Sequence, residues 1–132
     1  MADNEFTNPA TLAPTRGYSH VVSIPAGSRL VWTSGQVPFH ADNTFGPDDW
    51  AGQTRLVMEN VGEALKAGGA SWDDLVKITI YVRDTSALDT VRSVRDEFLS
   101  KDHPPVATLV QVGLFREDIL VEVEAVAAVA EG

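Results

Sequence analysis

The sequence predicts an α+β domain with the element order β-β-α-β-α-β-β, in which two helices cover one face of a single sheet. Three observations carry that prediction. Apolar residues recur at helical spacing between Trp50 and Ala67, Val76 to Val82 alternates strictly, and two β-branched apolar runs span Ala107 to Val112 and Ile119 to Val129. A chain of 132 residues holds one such domain.

The first 16 residues include Asn4, Asn8, Pro9 and Pro14 and read as an N-terminal arm without regular structure until something docks it; Gly17 ends it, and 17–132 form the domain. YSHVVSI, 18–24, suits a short strand. Pro25 to Ser28 supply a turn into a second strand, Leu30 to Gln36, so this pair is expected to be a hairpin. The following VPFHADNTFGPDD, 37–49, reads as an irregular surface loop.

In the first helix Leu56, Val57, Val61, Ala64 and Leu65 form the apolar stripe. Asp48 or Asp49 is placed to cap its start, and Gly68-Gly69 to stop it. Ser71 can cap the short turn before the strand Leu75 to Val82. Asp84, Thr85 and Ser86 offer a cap for the second helix, whose stripe is Leu88, Val91, Val94 and Phe98 and whose polar side carries Asp89, Arg92, Arg95 and Asp96. SKDHPP then breaks the helix, because two prolines cannot continue it.

The last two runs flank a turn at Arg116, Glu117 and Asp118 that is too short for a crossover helix, so a second hairpin is expected. Glu122 and Glu124 project from one side of the closing strand, while Val121, Val123 and Ala125 project from the other. Either one of these carboxylates belongs to a site or both solvate the outer face of an edge strand. Val22, Ile24, Val31, Ile78, Ile80, Val121, Val123 and Val126 amount to more apolar surface than two helices cover, which predicts association through the sheet.

A net charge of −9, with ten unclustered basic residues, argues against nucleic-acid and acidic-lipid partners. The absence of cysteine excludes disulfides, thiolate metal sites and a cysteine nucleophile. No secretory signal or run of transmembrane length is seen, so the expected location is the cytoplasm. His20, His40 and His103 lack metal-ligand spacing, and phosphate-loop, dinucleotide and nucleophile-elbow motifs are missing, so neither metal nor cofactor is expected. Thr33-Ser34-Gly35-Gln36 reads locally as a hydrogen-bonded strand end where glycine permits a bend.

YSHVVSI, RLVWTSGQVP, QTRLVMENVGEALKAGGASWDDLVKITIYVRD, HPPVATLVQV and LVEVEAVA, in that order from Tyr18 to Ala128, resemble the Rid family of reactive intermediate deaminases, also called YjgF-type. The resemblance implies a chorismate-mutase-like α+β single domain with two helices on one face of a mixed sheet. It also implies a homotrimer packed through its sheets, with small-molecule clefts at the subunit boundaries. The best-known members hydrolyse enamines and imines such as 2-aminoacrylate without metal or organic cofactor. By resemblance Glu122 is the cleft glutamate that positions water or relays a proton, and Tyr18, Ser34 and Gly35 contribute to substrate binding; Glu124 has no such role.

The chain departs from the family pattern at two places. Ala107 falls where the family carries the arginine that holds the substrate carboxylate, which argues against 2-aminoacrylate as substrate. Arg92 falls where the family commonly has asparagine, and is either a relocated anion anchor or an ordinary surface arginine; Arg116 and Arg16 are weaker candidates. Leu109 and the Phe39 to Phe45 loop are expected to give the cleft an apolar wall, and a hydrophobic, arginine-free cleft would suit a larger or less anionic substrate. The alternative to an imine or enamine hydrolase is a trimer that binds a metabolite or regulates a partner without chemistry.

Overall fold

The computed structural model describes residues 3–131. Its elements are β1 (Glu5–Thr7), β2 (Val21–Ser23), β3 (Arg29–Trp32), α1 (Trp50–Ala67), β4 (Leu75–Val82), α2 (Leu88–Asp96), β5 (Val106–Gln111) and β6 (Val121–Val129), with a short 3-10 turn at Trp72–Asp74. The main sheet is mixed, with 4 strands in the order β3-β6-β4-β5, and α1 and α2 pack on one face of it. The α+β class and the order of the large elements are as the sequence predicts.

Neither expected hairpin forms. β2 pairs with β1, so the arm is docked as a two-stranded ribbon, while β3 pairs with β6. β6 lies between β3 and β4, and β5 runs parallel to β4 at the edge. The cause is α2: a helix joining consecutive strands returns the chain parallel to where it began, which places β5 beside β4. The chain then passes around the end of β4, where Val112 N–H donates to Val82 O (2.9 Å) and Arg83 N–H to Leu120 O (2.9 Å). Gln53, fully buried on α1, pins this passage by donating to Asp118 O and accepting from Leu120 N–H, both at 2.8 Å.

Asp49, of the two candidates, caps α1 by accepting from Gly52 N–H at 3.0 Å, and Gly68 closes its end. No side chain caps α2. Asp84 instead holds the preceding turn by accepting from Ser86 N–H at 2.8 Å, and the helix begins after Ala87.

Val57, Met58, Val61 and Leu65 of α1 pack against Ile78, Ile80, Val82, Val121, Val123 and Ala125. Ile78, Ile80, Val121 and Val123 are therefore covered by the helices, with at most 1% exposure, and do not form the predicted surplus. On the opposite face, Phe6 and Val22 of the ribbon pack against Val76, Val126 and Ala128. The large apolar side chains left open on β3 are instead Leu30 and Trp32, 47% and 69% exposed.

Candidate functional site

Two groups of the expected site residues assemble, at separate places. The first is on the open face of the sheet. Glu122 stands opposite Tyr81, and Glu124 opposite Thr79. The Tyr81 hydroxyl donates to Glu124 Oε1 at 2.6 Å, which engages Glu124 and raises the Tyr81 pKa. β6 is interior to the sheet, so neither glutamate lies on an edge strand.

Glu122 has no hydrogen-bond partner among the described residues. Burial, and secondarily the charge of Glu124, push its carboxyl above the ordinary glutamate range. Space for it comes from the TSGQ segment. Thr33 N–H donates to Ala125 O (3.0 Å), and the Thr33 hydroxyl accepts from Ala125 N–H (3.1 Å). Gln36 exchanges both backbone bonds with Val123, at 2.8 and 3.1 Å. Ser34 and Gly35 consequently bow out between these anchors, and the Glu122 carboxylate lies where a Cβ on Gly35 would be. Gly35 thus serves close approach, where the local reading had only a bend. The exposed Ser34 sits beside it and offers its carbonyl to the Thr33 hydroxyl. Tyr81, Glu122 and Glu124, with Val112, Gly113, Leu114 and Phe115, line a shallow depression of about 410 Å³.

The second group lines an open cavity of about 580 Å³ between α2 and the β5 edge: Tyr18, Arg92, Ala107 and Leu109, together with Arg16, Gly17, Asp89, Arg95 and Asp96. Ala107 and Leu109 are paired with Ile78 and Ile80, so they face the helix side of the sheet, away from Glu122. Tyr18 is held in place by its neighbour: Ser19 N–H donates to Pro105 O (3.0 Å) and Ser19 Oγ to Pro104 O (2.6 Å). Gly17, at φ +73°, lets the chain turn close over Arg95, whose Nη2 would be 2.9 Å from an added Cβ.

Beside Ala107 this cavity is lined by three arginines, Arg16, Arg92 and Arg95. Arg95, assigned by pattern to the polar side of α2, is only 7% exposed and bonds Asp96 Oδ1 through Nε (2.9 Å) and Nη2 (2.8 Å). Its spacing held the signal: it follows Leu88 by seven residues and Val91 by four, which puts it on the inward stripe. Phe39 and Phe45 line neither cavity. They pack edge to face, with the Arg116 guanidinium 5.1 and 4.5 Å from their centroids. That contact, with a bidentate pair from Arg116 to Asp118, engages Arg116 away from both groups.

The family model described as Endoribonuclease L-PSP matches residues 8–129. The chain belongs to this family, the YjgF/Rid proteins. A relative of this Rid protein, the 2-iminobutanoate/2-iminopropanoate deaminase of Escherichia coli, is 30% identical over 121 residues, covering 90% of each chain. Among solved structures, the Rid-family protein YyfB of Yersinia pestis superposes with a TM-score of 0.86 at 29% identity, over 97% of this chain and 100% of that one. TdcF of Escherichia coli, solved with bound serine, superposes with a TM-score of 0.70 at 29% identity, over 93% and 94%. The two-helix, mixed-sheet architecture of this Rid protein is that of its structural neighbours.

Proposed function

We propose that this protein is a homotrimeric cytoplasmic hydrolase of imines or enamines of small carboxylic acids other than 2-aminoacrylate. The Tyr18 cavity of one copy and the Glu122 face of the next close a single cleft. The observation that carries the reading is Glu122, a carboxyl group with no hydrogen-bond partner among the described residues and a raised pKa, set over Gly35 on an open sheet face. Further support comes from the exposed Trp32 and Leu30, which leave apolar surface on that same side for a second copy to cover.

The chemistry asks little beyond positioning and one proton relay. A protonated imine carbon is already electrophilic. Glu122 orients a water and takes its proton as the C–O bond forms, then returns that proton to nitrogen. The C–N bond breaks, ammonia leaves, and loss of the hydroxyl proton gives the keto acid. A glutamate whose pKa lies above its ordinary value is better matched to this exchange than a fully solvated one.

Ammonia release from freshly generated imines of neutral and acidic amino acids tests the reading. Turnover above the buffer rate is expected, and Glu122→Gln should lower it about 10²- to 10⁴-fold. A correctly assembled trimer that releases no ammonia from any of them would overturn it. Ala107 favours one competing reading, a trimer that binds a metabolite without chemistry; there Glu122→Gln would alter affinity alone.

A further inference from the structure

We infer that the cavity beside β5 is an anion site held from α2, in which Arg92, flanked by Arg16 and backed by Arg95, grips the carboxylate of a small organic acid. Leu109 and Ala107 form the floor against which the rest of that molecule lies. The inference rests on the proposed reading of this cavity as the substrate cleft, and it names the holder of the substrate that Ala107 cannot be.

Three observations converge. Arg29 is bonded to Glu131, Arg55 to Glu97, Arg116 to Asp118, Arg95 to Asp96, and Arg83 to the carbonyls of Ile119 and Arg116. Among the described residues Arg16 and Arg92 alone of the arginines have no such partner, and both line this cavity. Second, three guanidinium groups face two carboxylates there, Asp89 and Asp96, a local positive surplus in a chain of net charge −9. Third, Arg95 is buried and committed to Asp96, so the charges left uncommitted at the cavity are Arg16 and Arg92 against Asp89, and Arg92 is exposed. A planar guanidinium suits bidentate capture of a carboxylate. With a methyl group at 107 the floor stays open, so an acid with a longer side chain fits.

Calorimetric titration of the full chain with 2-oxobutanoate and with its neutral amide tests the site. The acid should bind and the amide should bind about tenfold more weakly or not at all. Arg92→Gln should weaken the acid about tenfold or more and raise KM for the imino acid more than it lowers kcat, while Arg92→Lys restores part of the affinity. Arg55→Gln, which removes one partner of a surface ion pair outside the cavity lining, should match the parent. No binding of the acid, equal binding of the amide, or an unchanged Arg92→Gln variant would overturn the inference. If acid binds through Arg92 but no imine is hydrolysed, the hydrolase reading fails and the anion site stands. If imines turn over with a KM indifferent to Arg92, the anion site fails and the hydrolase stands.

Discussion

One sheet carries two faces built from alternate residues of the same strands, and they obey different rules. On the helix side Ile78, Ile80, Val82, Val121 and Val123 are at most 1% exposed, locked against α1. On the other side the neighbours of those residues are Thr79, Tyr81, Glu122 and Glu124, with Trp32 beyond them left 69% exposed. The first face is covered by the chain's own helices; the second is left partly open. Incomplete packing is what allows a carboxyl group to stand there unpaired, because a fully buried one would need a partner.

That contrast can be broken most directly at adjacent positions of β4. Ile80→Ala should cost about 2–5 kcal/mol in urea unfolding, whereas Thr79→Ala should cost less than about 0.5 kcal/mol; similar costs would mean the faces are not distinct. Next in size is Tyr81→Phe, which removes the bond to Glu124 and should cost about 1.5 kcal/mol, the low end for a hydrogen bond to a charged group because the site is partly open. Gly35→Ala should change stability by about 0.5 kcal/mol or less, because the flexible Glu122 side chain yields, yet reduce ammonia release about tenfold or more by displacing that carboxylate.

The smallest effect concerns pH. The folded chain holds a proton on Glu122 to higher pH than the unfolded chain does, so stability falls as pH rises from the ordinary glutamate value through the raised one. Glu122→Gln should flatten that slope and leave a variant slightly more stable at neutral pH, measured as Tm across a pH series. A steeper slope in the variant would contradict the cause assigned to the shift.

Much of the fold was legible because its determinants are local. The stripe Val57, Val61 and Leu65, a cap at Asp48 or Asp49, the stop at Gly68 and the alternation through Ile78 and Ile80 each occupy a few consecutive turns or pleats. Strand pairing is not local in the same way: two strands joined by a short turn look alike in sequence whether they are neighbours or, as with β5 and β6, have β4 between them. Of the candidate site, the pattern of Glu122 and Glu124 on one face was readable, but their difference was not, since it depends on Tyr81 from another strand. Arg95 was readable in principle from its seven-residue spacing to Leu88, and was obscured by its charge.

By itself the sequence determined both helices, the later strands with their alternation, and the family signature, all properties of residues within reach of one another along the chain, whereas β1 forms only by pairing with β2. Only the tertiary structure decided that β6 lies between β3 and β4, that Gly35 makes room for Glu122, and that Arg16, Arg92 and Arg95 meet beside Ala107. Those are contacts between distant segments. Their geometry follows from how α2 returns the chain beside β4 and how the turn before β6 is tied to Gln53, which no local pattern records.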